Sequence, residues 1–214
     1  MINLAEKKSA LIQYFKDSGT LRDENIIIAF EAVPREHFVL PEYKEYAYID
    51  QPLPILAEQT ISQPTTVAIM TQTLLPKYGQ KILEIGAGSG YQASILSKIV
   101  GPKGRIITVE RIPELYEYAR KKLKGYKNVQ VVLGDGSKGY ASKAPYDRVI
   151  VTASAPSIPE PLFEQLKERG ILLIPVGSLL SQKMLKVSKL AGRKIIKDIG
   201  YFVFVPLLGQ FGFK

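Results

Sequence analysis

The chain reads as an α/β protein: a doubly wound, mostly parallel sheet with an antiparallel C-terminal edge and an N-terminal extension of helices and loop. Three observations predict this. From residue 81 to residue 175, short apolar runs rich in β-branched residues alternate with helical patterns. One run, Ile82-Leu83-Glu84-Ile85, passes straight into Gly86-Ala87-Gly88-Ser89-Gly90 and then into a helical pattern, which is the strand, tight turn and helix that open such a sheet. After Met184, strand-like runs follow one another with no helix between them.

Leu4, Leu11, Ile12 and Phe15 mark an amphipathic first helix that stops at Gly19. Asp23 is a good N-cap for a helix over 24–32, which Pro34 ends by disfavouring helical geometry at Val33. The segment 34–63 carries Pro34, Pro41, Pro52 and Pro54 and reads as ordered loop, with short strands at 47–49 and 53–55. Val67, Ile69, Met70 and Leu74 then predict a helix that starts beside Ser62 and ends near Pro76. Strands are expected at 81–85, 105–110, 129–133, 147–152 and 170–175, and helices at 91–99, 113–124 and 160–168, with helices on both faces of the sheet. The tail gives three strand-like runs, 184–190, 194–199 and 201–207. The change of pattern before Lys81 divides the chain into an N-terminal helical and loop segment, 1–78, and an α/β unit, 79–214.

Composition removes several chemistries. No cysteine is present, so disulfides, thiolate metal sites and cysteine nucleophiles drop out, and His37 is the only histidine. No metal site is expected. The net charge of +9 is spread along the chain without a block of five basic residues, as on solvated faces, so no nucleic-acid partner is expected. No apolar stretch approaches the roughly 20 residues that span a bilayer, and no signal core follows Lys7 and Lys8, which predicts a cytoplasmic protein without a membrane partner.

The glycine spacing is G-x-G-x-G, and Tyr91 stands where a dinucleotide motif would place its last glycine. That argues against NAD. Glu84 would repel a pyrophosphate but suits the ammonium of a methionine-derived ligand. Glu110 ends the next strand at the spacing where an acid accepts from ribose hydroxyls, and Asp135 follows the third strand within Gly134-Asp135-Gly136, where it could accept from an adenine amino group. Acid, three glycines, acid and Gly-Asp-Gly in this order resemble the class I methyltransferases, Rossmann-like enzymes that use S-adenosyl-L-methionine (AdoMet).

The absence of cysteine excludes carbon-5 pyrimidine methylation, and Val151-Thr152-Ala153-Ser154-Ala155-Pro156 lacks both the motif of exocyclic amine methylation and the carboxylates of metal-assisted catechol methylation. An acceptor already anionic at neutral pH fits what remains, because a carboxylate oxygen attacks a methyl group without losing a proton. Its candidate anchor is Gln59-Thr60-Ile61-Ser62-Gln63-Pro64, where the Ser62 hydroxyl and the free N–H groups of a helix start converge on one spot that favours negative charge.

Val33-Pro34-Arg35-Glu36-His37-Phe38, Pro52-Leu53-Pro54-Ile55, Gln59 to Pro64, Glu84 to Gln92, Glu110-Arg111-Ile112, Gly134-Asp135-Gly136 and Ala144-Pro145-Tyr146-Asp147 together resemble the protein-L-isoaspartate (D-aspartate) O-methyltransferase family, with Ile171 to Gly177 and Phe204 to Leu207 extending the likeness. The resemblance implies protein repair. AdoMet gives its methyl to the α-carboxylate of an isoaspartyl residue in a damaged protein, leaving S-adenosyl-L-homocysteine and an ester that collapses to a succinimide; the family name adds D-aspartyl residues as acceptors. It also implies that Ser62 is the catalytic serine, that Gln59, Thr60 and Ile61 lie in the cofactor and substrate loop, and that Glu84, Gly86, Gly88, Glu110 and Asp135 hold the cofactor, together with Ser89, Gly90, Tyr91, Arg111, Gly134 and Gly136. Glu58 stands where the family pattern carries glycine, and residues 208–213 lack the polar groups that some relatives bring near the cofactor. His37 is read as structural. The aromatic tail Phe211-Gly212-Phe213 packs on its own sheet or joins copies through the C-terminal strands. Two alternatives stay open: an RNA or small-molecule methyltransferase using AdoMet, and a non-catalytic AdoMet-binding module.

Overall fold

The computed structural model describes residues 3–214. Helix α1 (Leu4–Asp17) starts on a reciprocal cap, in which Asn3 Oδ1 accepts from the Glu6 N–H at 2.9 Å and the Asn3 N–H donates to the Glu6 carboxylate at 3.1 Å. Asp23 caps α2 (Glu24–Ala32), and Val33 leaves the helix in extended geometry ahead of Pro34. Two short 3₁₀ turns follow, Arg35–His37 and Pro41–Tyr46. The strand expected at 47–49 is a turn instead, with the Ala47 N–H donating to Lys44 O and Ala47 O accepting from Arg35 Nε at 2.8 Å. No partner strand lies beside it, so its backbone bonds locally and to a side chain rather than in a ladder.

Strands β1 (Leu53–Pro54) and β2 (Thr60–Ile61) form a small antiparallel hairpin. Helix α3 (Pro64–Leu74) begins later than expected, with Gln63 rather than Ser62 at its cap position. Its other end is closed by Leu75 in left-handed geometry and by Arg148, whose Nε donates to Leu74 O at 2.8 Å and Nη2 to Leu75 O at 3.3 Å.

The main sheet has seven strands, with β3 (Lys81–Ile85) among the central ones. On one side lie β4 (Arg105–Glu110) and then β5 (Val129–Leu133); on the other lie β6 (Tyr146–Val151), β7 (Leu166–Gly177), β8 (Gln182–Leu190) and β9 (Arg193–Phe202). Pairings from β5 across to β7 are parallel, and β8 and β9 add antiparallel edges. Helices α4 (Tyr91–Val100) and α5 (Pro113–Lys122) connect β3 to β4 and β4 to β5. The strand order therefore reverses at β3, and ligands of such sheets bind in the crevice at the carboxyl ends of strands at that point.

Alternation divides the core. Ile82, Ile106, Ile150 and Leu173 face one cluster shared with α1 to α5, while Leu83, Ile85, Ile107, Val109, Val149 and Val151 face another. The second face has little helix over it: one short helix, α6 (Glu160–Glu164), two 3₁₀ turns and the chain's tail. The helix expected over 160–168 stops at Glu164 because Gln165 is tied down on both sides, its side chain accepting from the Tyr140 N–H and donating to Lys138 O, each at 2.8 Å, and Leu166 already pairs in the sheet. The tail also differs from expectation. Strand β9 runs through Gly200 to Phe202, and 203–207 leaves the sheet edge to lie beside the strand-end loop at Ser154, with the Ser154 N–H donating to Val205 O at 2.8 Å and the Leu207 N–H to Ser154 O at 2.7 Å. This returns the tail to the carboxyl end of the parallel strands. No helix among the described residues is long and apolar enough to cross a membrane.

Candidate active site

The site grows from the end of β3. Gly86 adopts φ +93°, and a Cβ there would stand 2.4 Å from Thr152 Oγ1, so glycine is needed both for the turn and for the close approach. Thr152, just past β6, donates to Gly86 O at 2.8 Å and fixes the far wall of the loop. Gly90, at φ +86°, occupies the cap position of α4.

Glu110 ends β4 and organises the loop with its carboxylate. One oxygen accepts from the Gly88 N–H at 3.0 Å, and the other accepts from the N–H groups of Arg111 at 2.8 Å and Ile112 at 3.0 Å. A carboxylate has about four acceptor positions, so Oε2 keeps one for a hydroxyl donor. Glu84 is its opposite. It is fully buried, neither oxygen has a hydrogen-bond partner among the described residues, and the nearby Thr108 hydroxyl is likewise unpaired. Burial pushes its carboxyl up to about 8, with the Thr108 hydroxyl favouring and the Glu110 charge opposing ionisation. An orphaned buried carboxylate beside an orphaned hydroxyl suits a ligand that brings an ammonium group.

Two adjoining pockets open here. The larger, about 760 Å³ with its solvent-open part, is lined by Gln59, Thr60, Gly86, Gly88, Glu110 and Arg111 among the expected residues, and by Ile112, Leu115, Gly136 and Leu207 as apolar or backbone walls suited to a flat base. The smaller, about 440 Å³, brings Thr60, Ile61, Ser62, Glu84, Gly86, Gly88, Ser89 and Tyr91 together around Thr152. Ser62 thus shares a pocket with the glycine loop although more than twenty positions separate them from Glu84 onward. His37 is exposed and lines neither pocket.

Tyr91 edges the smaller pocket but is buried, with its ring 5.6 Å from that of Phe38 and 5.2 Å from the Arg35 guanidinium, so most of it serves packing. Three expected residues, Gly90, Gly134 and Asp135, line neither pocket. The Gly134 N–H donates to Glu110 O at 2.8 Å. Asp135 accepts from the Ser137 N–H at 3.0 Å, the Ser137 hydroxyl at 2.6 Å and the Gln210 N–H at 2.9 Å. Burial opposes its charge, but these bonds hold the Asp135 carboxyl below its usual range. Asp135 lies outside both linings, and Gly136 takes its place.

Ser62 does not cap α3, and the anion-binding spot expected at that helix start is already filled. Asp50 accepts there from the Thr65 N–H at 2.8 Å, the Thr65 hydroxyl at 2.7 Å and Gln63 Nε2 at 3.0 Å. Thr152 and the tail residues Val205 to Leu208 line the larger pocket and were missed by sequence reasoning, as was Asp50 at the first turn of α3. Only Thr152 carried a signal, as a hydroxyl residue at the end of a strand next to β3.

Comparison with known proteins gives the family. The profile of the family described as Protein-L-isoaspartate(D-aspartate) O-methyltransferase (PCMT) matches residues 6–212. The chain belongs to this family. It is similar to the protein-L-isoaspartate O-methyltransferase of Staphylothermus marinus, 48% identical over 217 residues covering 97% of this chain and 96% of that one, and to that of Pyrococcus abyssi, 47% identical with all of both chains covered. Among solved isoaspartate methyltransferases, one at 31% identity superposes with a TM-score of 0.86 over 96% of this chain and 67% of its own. A Plasmodium falciparum chain described as a candidate isoaspartate methyltransferase, solved in complex with S-adenosyl-L-homocysteine, has 25% identity and a TM-score of 0.83 over 93% of this chain and 97% of that chain.

Proposed function

We infer that the protein is a repair methyltransferase that moves a methyl group from AdoMet to the α-carboxylate of L-isoaspartyl residues in damaged proteins, giving an ester that collapses to a succinimide. The observation that carries this reading is the shared pocket of Ser62 and the glycine loop in a chain of the isoaspartate methyltransferase family. AdoMet supplies an electrophilic methyl on a sulfonium centre, and the residues around it hold and orient.

In this reading Glu110 accepts from a ribose hydroxyl, and the apolar slot of Ile112, Leu115 and Leu207 takes the adenine. Glu84 meets the ammonium end and ionises as it does so. Gln59, Thr60 and Ile61 form the edge between donor and acceptor. The Ser62 hydroxyl donates to one oxygen of the acceptor carboxylate and turns the other toward the methyl group. No general base is needed, because the acceptor is already ionised at neutral pH. Catalysis is then alignment of two reactants and exclusion of water.

The test supplies labelled AdoMet and two peptides that differ only in an Asp or isoAsp residue. Base-labile label on the isoaspartyl peptide alone is expected. Equal labelling of both peptides, or of neither, overturns the reading, and label in RNA would support the alternative acceptor.

A further inference from the structure

Asp50 closes a loop. Its three bonds to Gln63 and Thr65 join the two ends of 51–64, the stretch that contains the whole β1–β2 hairpin and every acceptor-side residue from Gln59 to Ser62. Leu53, Ile55 and Ile61 anchor this stretch in the core and the Ile55 N–H donates to Gln59 O at 2.8 Å, but its ladder is short. The hairpin pairs only Leu53 with Ile61 and Pro54 with Thr60, and its turn places Ala57 and Glu58, two residues with side chains, at φ +54° and +56°. The N-terminal side of the clasp is braced by Arg35, which is fully buried, donates from Nε to Ala47 O at 2.8 Å and stacks on Tyr91 at the start of α4. Ser62 itself lies one residue before the cap of α3, and the orientation of that first turn sets where its hydroxyl goes.

We propose that Asp50 is a positioning residue for the acceptor: by clasping the base of the 51–64 loop onto the first turn of α3, it sets the Ser62 hydroxyl against the donor pocket. The carboxylate also fills the positive end of α3, so the acceptor's negative charge meets Ser62 and not the helix start. This rests on the reading of Ser62 as the group that meets the acceptor carboxylate.

A double-mutant cycle tests it, with turnover on the isoaspartyl peptide and AdoMet affinity measured for D50A, S62A and the pair. D50A is expected to lower kcat about tenfold to a hundredfold, the size of effect that a misplacement of about 1 Å produces, with AdoMet affinity changed less than about threefold. In the S62A background the same change should cost less than about threefold, because the group it positions is gone. D50N, which keeps one carbonyl oxygen for the Thr65 N–H, should recover part of the loss, and T65S, which keeps both donors, should leave the clasp intact.

Turnover of D50A within about twofold of the parent, an equal loss in the S62A background, or a parallel loss of AdoMet affinity each overturns the proposal. If S62A alone turns over normally, the role of Ser62 falls as well; if S62A is slow and D50A is additive with it, only the clasp falls. Should D50A not fold, D50N and T65V carry the same cycle.

Discussion

The two regions that the proposed function assigns to donor and acceptor are built by different means. On the donor side, main-chain N–H groups of Gly88, Arg111 and Ile112 converge on one carboxylate, Glu110, and every participant is the end of a strand or the turn after it. The sheet supplies that geometry. On the acceptor side, Gln59 to Ser62 sit in a two-pair hairpin with a left-handed turn, closed at its base by the side chain of Asp50. The loop that carries Gln59 to Ser62 therefore has fewer backbone bonds than the strands beside it and is held in the core by Leu53, Ile55 and Ile61 instead. A site that admits a varied protein substrate to an unvarying cofactor has use for that asymmetry.

The largest expected effect separates the two sides. Ser62→Ala should lower kcat roughly 10²-fold through lost orientation while leaving AdoMet affinity close to that of the parent. Titration with AdoMet beside single-turnover kinetics checks it, and a matching loss of affinity would merge the two sides into one.

Glu110→Gln should do the reverse. The amide keeps an oxygen for Arg111 and Ile112 but turns an NH₂ group toward the Gly88 N–H, leaving a part-buried donor unpaired at a cost of about 1 kcal/mol. Calorimetry should find AdoMet binding weakened about tenfold or more, with a lowered unfolding midpoint.

Glu84 gives a prediction in pH. Its carboxyl titrates near 8 in the folded protein and in the ordinary carboxylate range when unfolded, so the folded state binds the extra proton between about 4.5 and 8. Stability from this group is fully present below the lower value and is lost as pH rises through the upper one. Ligand-free protein should therefore lose stability across that window, and Glu84→Gln should flatten the loss. Binding a ligand that brings an ammonium should release close to one proton at pH 7, falling away above pH 8, as titration in buffers of different ionisation enthalpy would reveal. A proton count that does not respond to Glu84→Gln would remove Glu84 from the ammonium site.

The smallest effect belongs to the hairpin turn. Glu58→Gly relieves a left-handed residue of about 1–2 kcal/mol and gives back about 0.5–1 kcal/mol in unfolded-chain entropy, so a net gain of about 0.5–1 kcal/mol is expected. Scanning calorimetry should place the midpoint a few degrees higher, at about 2–4 °C per kcal/mol for a chain of this size. An unchanged or lowered midpoint would mean that the strain is compensated inside the loop.

The legible parts of the chain were those whose determinants are close in sequence. Strands β3, β4 and β5 begin and end where their apolar runs do, because each run is bounded by a turn residue, and β3 and β4 are continuous buried segments as well. Asp23 and Pro34 likewise delimit α2 from immediate neighbours. The misread elements answer to distant partners. Residues 47–49 have strand propensity but bond to Arg35, the helix at 160 is cut short by Gln165 reaching residues 138 and 140, and β9 absorbs the break expected near Gly200. Ser62 lines the smaller pocket, but it was singled out partly on an expectation that the structure overturns, since the helix start it was expected to cap is served by Asp50.

By itself the sequence determined the parallel sheet, the glycine turn after β3 and the acids at the ends of β3 and β4, because hydrophobic period, glycine geometry and strand-end position are all local properties. Tertiary structure decided which acids do what. Glu84 is left bare and Glu110 accepts three N–H groups, while Asp135 is turned to the returning tail and Asp50, nowhere near a motif, is brought to the first turn of α3. The charge state and the partner of a carboxylate depend on what the fold buries and aims at it, and contacts that close across fifteen to seventy-five residues leave no periodic trace in the chain.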